Sequence, residues 1–261
     1  MKKTLITICT CVLALSAQAQ ILKLPDGFIS GKTVWMLRFG GSINNVTGDL
    51  DDYRQSWEDG KPNKKWNCSG DFNSAMGGNI SLGFNKSFGS GPIYWGMEIG
   101  VGMRGYKTEV NYAYGSSSTI SGGYDSHTMK ESGELNAYHA QFSPISIGYR
   151  YVINESMAVD IHVGGFASYD FAGELKSESE DHIYITSKYG NNTKNTYTDN
   201  STKIGDLDDY RKYDFGVIGG IGFWYGHLNL DLGYQRGFMA MFDYDKKLYC
   251  TKIQMRLGYA F

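Results

Sequence analysis

Past residue 20 the chain has no run of about eighteen apolar residues, so no segment there can cross a bilayer as a helix. Proline is scarce, at 4 of 261 residues, and extended structure is therefore seldom interrupted. Charge of one sign is lacking as well: 25 Lys and Arg stand against 27 Asp and Glu, and a formal net charge of -2 provides no footprint for nucleic acid as a partner. Of the 4 cysteines, Cys9 and Cys11 fall before residue 20, leaving Cys68 and Cys250. No two of His139, His162 and His227 share a metal-ligand spacing. No Gly-x-Ser-x-Gly elbow occurs either. The expectation from these absences is a chain with no cofactor, no metal and no enzymatic activity.

What is present is glycine (34), tyrosine (20) and phenylalanine (13), with aromatics at 15%. Such a composition favours strands over helices. The segment 1–20 has Lys2 and Lys3, an apolar run over 5–15, and Ala17-Gln18-Ala19, the small-x-small spacing of a signal-peptidase site. It reads as a cleaved secretory signal, 1–19, followed by a lead-in, 20–32, with a turn at Pro25-Asp26-Gly27. Losing Lys2 and Lys3 would take the formal charge from -2 to about -4. Export is oxidising, so a disulfide between Cys68 and Cys250 is weighed against two free thiols.

The decisive feature is period-two alternation. In the last stretch Tyr249, Thr251, Ile253, Met255, Leu257, Tyr259 and Phe261 share one face, while Lys252, Gln254 and Arg256 lie on the other. The same pattern recurs over 33–43, 76–86, 94–106, 135–151, 157–171, 213–224 and 228–235, making about eight strands. Pro144 lies within the fourth and predicts a bulge, since it cannot donate to a ladder. Long polar stretches at 44–75, 107–134 and 174–209, with a shorter one at 237–245, alternate with tight turns at 87–92, 154–155 and 225–227. Two loop classes in strict alternation predict an all-β, eight-stranded antiparallel up-and-down transmembrane β-barrel over 33–261, with short periplasmic turns and long extracellular loops.

The inward faces collect charge: Arg38, Glu98, Arg104, Asp160, His162, Asp170, Asp214, Asp231, Lys252 and Arg256. Two readings stand side by side. One is a salt-bridge network filling a closed barrel, since buried charges must pair. The other is a proton or ion path. A final hairpin centred near Phe242 sets Asp231 beside Gln254 and Arg256. Asp125, Ser126 and His127 superficially offer acid, nucleophile and base in one loop, but adjacent residues rarely form a triad. Gly48-Asp49-Leu50-Asp51-Asp52-Tyr53-Arg54 recurs as Gly205-Asp206-Leu207-Asp208-Asp209-Tyr210-Arg211. The acidic pair of segments lacks the Gly and distal Glu of an EF-hand, and a charged aromatic collar is weighed against a cation site.

With Leu257, Tyr259 and Phe261 on its apolar face, the final strand resembles the closing strand of bacterial outer-membrane β-barrels, whose aromatic end is a signal for the assembly machinery. The fourth strand, with Pro144 inside it, resembles that of the PorT-type barrels of Bacteroidetes, and more distantly the OmpA/OmpX-type barrels. The resemblance implies an integral outer-membrane protein in contact with outer-membrane lipid and the barrel-assembly machinery. It supplies no functional residues. The expected role is structural or surface-interacting, with Tyr112, Tyr114, Tyr184, Tyr189 and Tyr197 of the loops meeting polysaccharide or protein. A transport or secretion accessory is the alternative. A lipid-modifying enzyme comes third, and the closely spaced His-x-Ser pair of lipid A deacylases is missing.

Overall fold

A computed structural model of the chain describes residues 23–52, 66–118, 123–187, 190–243 and 247–261. The expected signal segment lies outside them. The described residues form a short helix, α1 (Gly27–Ser30), and antiparallel strands β1 (Thr33–Gly48), β2 (Trp66–Ser87), β3 (Ile93–Ser118), β4 (Gly123–Asn154) and β5 (Met157–Ser187). After these come β6 (Gly190–Lys203), a 3-10 turn (Ile204–Asp206), β7 (Tyr213–Tyr225), β8 (Leu228–Ala240) and β9 (Leu248–Ala260). The hydrogen-bonded order is β4-β3-β2-β1-β9-β8-β7-β5, with β4 pairing back onto β5, so these eight strands form a ring. The remaining strand, β6, hangs on β5 alone.

The ring is built from sequence alternation. Exposed and buried residues alternate along β1, β7 and β8 almost without interruption. The exposed set is apolar: Trp35, Leu37, Phe39, Phe215, Val217, Ile221 and Phe223 all stand 40% or more accessible. An apolar band of this extent would cost roughly 25 cal/mol for each Å² held in water, and hydrocarbon removes that cost. Aromatic side chains gather in this band near the short-turn end, where Phe84 packs between Trp35 (5.3 Å between ring centres) and Trp95 (5.2 Å).

The expected bulge is present at Pro144. Register shifts between Phe142 and Ser146 against β5 and between Gly96 and Glu98 against β3. The shift exchanges odd for even inward positions, so His139 is buried before it and Arg150 after it. Glycine makes room for the large inward groups: a Cβ at Gly148 would lie 2.3 Å from the Tyr94 ring.

The long stretches depart from expectation. Residues 107–118, 123–134 and 174–187 are continuations of ring strands, and 190–203 is a strand of its own, where the sequence reading had loops. The β3–β4 ladder runs on to Ser118↔Gly123, β4–β5 to Tyr124↔Thr186, and β2–β3 up to Trp66↔Tyr114. Both faces are polar enough in much of this region that no hydropathy period survives, although Thr, Tyr and Ile keep their preference for extended backbone. A five-stranded sheet therefore protrudes from one end of the ring.

Candidate functional site: the filled interior and the protruding sheet

Both mouths of the ring are closed by the chain itself. At the short-turn end, Leu24 and Phe28 of the lead-in bury against Val34, Met36, Ala158 and Trp224. The Leu24 amide donates to the Glu155 carbonyl (2.8 Å), and the Phe28 and Trp224 rings meet edge to face at 4.7 Å. The Arg150 guanidinium lies over the Phe28 ring (3.5 Å) and near those of Tyr94 (4.4 Å) and Trp224 (5.3 Å). At the other end, Tyr210, Met241, Phe242 and Leu248 form an apolar lid with Val46, Tyr106 and Leu135.

Between the two closures lies charge. Arg38 Nη1 donates to Glu98 Oε2 (2.6 Å), Arg256 Nη1 donates to Glu98 Oε1 (2.5 Å), and Arg256 Nη2 donates to Asp231 Oδ1 (2.8 Å). Above them, Arg104 joins Asp170 (2.6 Å) and Asp214 (3.0 Å), and the Tyr210 hydroxyl also donates to Asp170. Below them, Asp160 accepts from the Tyr94 hydroxyl (3.0 Å) and from the Trp224 indole, with Arg150 at 3.8 Å. His162 links the lower and middle groups, its Nδ1 3.3 Å from Asp160 and its Nε2 3.5 Å from Asp231. The structure thus places Arg38, Glu98, Asp160, Asp231 and Arg256 in one chain of contacts through His162, and Arg104 and Asp214 in a second group around Asp170. Lys252 is buried with them but stands at ion-pair distance from no carboxylate of the described residues.

Three participants escaped the sequence reading. Arg150, Tyr94 and Trp224 are all buried and all serve Asp160. The signal for Arg150 was available: Ile145, Ile147, Tyr149, Tyr151 and Ile153 face outward, which turns Arg150 inward once the Pro144 phase shift is allowed for.

Of the two readings left open for Cys68 and Cys250, the structure shows no bond joining them. Cys250 is buried in the lid opposite Val46 of β1, whereas Cys68 lies opposite Tyr112 in the protruding part of β2. Counting outward from the Asn44↔Ala75 pair, Val46 is two residues beyond it and Cys68 seven. At about 3.3 Å per residue the two sulfurs are separated by on the order of 15 Å along the strands. Ser126 and His127 are consecutive residues of β4 and so face opposite sides of the sheet; His127 Nε2 meets Asp181 of β5 instead. Leu257, Tyr259 and Phe261 face outward, 47%, 53% and 63% exposed.

The duplicated heptapeptide flanks the β8–β9 hairpin on two sides. In the first copy, the Asp49 amide donates to the Lys247 carbonyl (3.0 Å), and the Lys247 amide donates to Asp49 Oδ2 (2.8 Å). In the second, the Arg211 amide donates to the Met241 carbonyl (2.9 Å) and the Asp209 carbonyl accepts from the Asp243 amide (2.9 Å). Leu50 and Leu207, equivalent in the two copies, both pack against the lid. Tyr53 and Arg54 of the first copy lie outside the described residues. The second copy inserts Tyr210 into the ring mouth, so it is part of the closure and not merely a collar.

The protruding sheet has two unlike faces. Val110, Tyr112, Met129, Asp181 and Ile183 continue the inner face of the ring and are buried or half-buried. The other face is charged and exposed: Lys130 pairs with Glu109 (2.9 Å) and Lys176 with Glu174 (3.0 Å). Contact with Lys130 holds the Glu109 carboxyl below the usual carboxylate range, and burial, then Glu131 and Cys68, pushes the Tyr112 hydroxyl up to about 12. Along its outer side β6 has no hydrogen-bonded neighbour among the described residues.

An all-antiparallel ring with an apolar exterior, a charged interior and short turns at one end is the architecture of a membrane barrel. A family model for the outer membrane protein β-barrel domain matches residues 18–243. The chain belongs to that family. In this outer-membrane domain the short turns mark the periplasmic end and the sheet projects outward. Among solved structures it is similar to Ail, the attachment invasion locus protein of Yersinia pestis, in complex with the heparin analogue sucrose octasulfate. Identity is 11%, coverage is 88% of this chain and 99% of that one, and the TM-score is 0.34. Neisserial surface protein A shows 9% identity, 87% and 97% coverage and a TM-score of 0.31. LpxR from Salmonella typhimurium shows 9% identity, 85% and 100% coverage and a TM-score of 0.25. No curated protein matches the chain in sequence.

Proposed function

We propose that this outer-membrane barrel protein is a surface-interaction protein that binds an extended polypeptide segment along β6. The supporting observation is the outer side of β6, a strand of 14 residues that pairs with β5 alone among the described residues. Unpaired N–H and C=O groups in a row are a template for strand addition. Asn, Thr and Lys side chains keep this edge hydrated, so it stays soluble until a partner pairs with it. The ring anchors the sheet in lipid, and the closed interior keeps it rigid.

Under this reading the chain is exported with residues 1–19 removed, and the barrel-assembly machinery engages its Leu257, Tyr259 and Phe261 face. It has no catalytic role, and its finer kinship is with the PorT-type barrels, on the strength of Pro144 in β4. The alternative, a transport or secretion accessory, would act through the same exposed sheet, because Phe28 and Tyr210 block a route through the ring.

The test compares proteoliposomes carrying the intact chain with others lacking 190–203, each offered a displayed random-peptide library and, separately, a polysaccharide array. Enrichment of extended, β-prone peptides by the intact chain alone is expected. Equal enrichment by both forms, or capture of polysaccharide only, contradicts the reading.

A further inference from the structure

A single charge stands on the lipid-facing wall of β8. The outward positions of that strand run Leu228, Leu230, Leu232, Tyr234, Arg236 and Phe238, and Arg236 is exposed like the rest. Among the described residues it is the one charged side chain on the outward faces of β7, β8 and β9. No side chain or carbonyl of the described residues pairs with its guanidinium. From Leu228 at the short-turn end to Arg236, at about 3.3 Å per residue and a tilt of roughly 40°, β8 climbs about 20 Å, and the apolar band of such barrels is about 25 Å tall. Arg236 therefore lies roughly 5 Å beneath the outer edge of the hydrocarbon. Phe238 stands above it, its ring 6.2 Å from that of Phe215. A guanidinium at that depth is costly in lipid unless it reaches up to the headgroups and finds an anion there.

The neighbouring ladder supplies a second donor in the same upward direction. Thr251 faces Arg236 across β8–β9, and Asn45 faces Thr251 across β9–β1. A row of cross-strand partners that leaves β2 at Met76 returns to β2 at Lys86, beside the short turn, so each step from β8 to β9 to β1 climbs toward the protruding sheet. Ser74 Oγ donates to Asn45 Oδ1, and Thr251 Oγ1 donates to the Asn45 carbonyl (3.3 Å). Asn45 Nδ2 is left with no acceptor among the described residues. Arg236 and Asn45 thus stand two strands apart, about 10 Å, on either side of a small residue. Thr251 between them is buried.

An unpaired guanidinium and an unpaired amide, both at headgroup level, are complementary to a phosphate, which arginine binds through paired N–H bonds. We infer that Arg236 and Asn45 hold the phosphate of an outer-leaflet lipid against the β8–β9–β1 wall, with its acyl chains over Tyr234 and Ile253. The site is separate from β6 and does not depend on what pairs there.

The probe is dioleoyl phosphatidic acid, whose head is a bare phosphate. The full chain in detergent micelles is offered this lipid beside dioleoyl phosphatidylcholine, whose choline offsets the phosphate charge, and retention is read by native mass spectrometry. Preferential retention of phosphatidic acid is expected, falling roughly tenfold in Arg236→Gln and less in Arg236→Lys. Heat-modifiable gel migration checks that each variant is folded, and Asn45→Ala, with a smaller loss, serves if Arg236→Gln does not fold. Equal retention of the two lipids by the unsubstituted chain overturns the inference, as does undiminished retention by a folded Arg236→Gln protein. Displacement of the lipid by inorganic phosphate, or a dimer of the chain that Arg236→Gln dissociates in place of any lipid retention, overturns it as well.

Discussion

Asp231 and Arg256 face each other directly across the β8–β9 ladder, and Arg256 sends both Nε (2.9 Å) and Nη2 (2.8 Å) to the same Asp231 oxygen. Both side chains are buried. Removing Asp231 leaves the buried Arg256 with Glu98 as its remaining carboxylate and two of its N–H groups without their partner, a loss toward the lower end of about 3–5 kcal/mol, whereas replacing both with apolar groups of similar volume costs far less. Asp231→Ala should therefore lower the urea midpoint of the detergent-solubilised barrel sharply. The double substitution D231L/R256M should recover much of the loss, which equilibrium unfolding of the three proteins would measure.

The periplasmic closure rests on Phe28, which touches Trp224 at 4.7 Å and carries Arg150 at 3.5 Å from its ring centre. Phe28→Ala should cost about 3–5 kcal/mol as a buried aromatic truncation. It should also expose Trp224, which is fully buried in the intact protein. Tryptophan quenching by acrylamide would register that second effect, and an unchanged quenching curve would count against the closure.

His182 lies in the protruding sheet, where its Nδ1 is 2.9 Å from Asn195 Oδ1. That contact, with Glu180 adding to it, raises the pKa of the imidazole above the ordinary histidine value. The contribution to stability is full below the unfolded pKa and fades as pH rises through the folded one. Asn195→Ala should lower the titration midpoint of His182 in a proton NMR titration, while the other histidines hold theirs.

Cys250 is enclosed by the lid, and Cys68 lies well beyond it on β2. Non-reducing and reducing gels of the protein isolated from oxidising growth should therefore show the same mobility. Cys68→Ser should leave the thermal midpoint nearly unchanged, where loss of a disulfide would lower it by about 2–5 kcal/mol in stability.

The ring strands were legible in the sequence because lipid on one side imposes a period that polar contacts do not blur. Phe215, Val217, Ile221 and Phe223 against Asp214, Gly216, Gly220 and Gly222 could be sorted by eye, and the structure sorts them the same way. The pairing of Asp231 with Arg256 was legible too, since a hairpin fixes its own register. By contrast, Arg104 meets Asp170 and Asp214 across the width of the ring, a contact that depends on closure and not on neighbouring strands. The protruding strands stayed hidden because residues such as Asn195, Tyr197 and Asp199 of β6 face water and carry no apolar period. The relation of Cys68 to Cys250 stayed open for the same reason: read as a loop, 44–75 could bring Cys68 anywhere, but as a strand it carries Cys68 away from the ring mouth.

The central claim is that the ring spans a bilayer with its alternate residues in lipid. A nitroxide scan along β7 in bilayers, recording collisions with oxygen and with a water-soluble nickel chelate, tests it most directly. The prediction is high oxygen access at 215, 217, 221 and 223 and low access at 214, 216, 218 and 224, with little nickel access at either set. High nickel access at Phe215, Val217, Ile221 and Phe223, or no alternation along the strand, would contradict it.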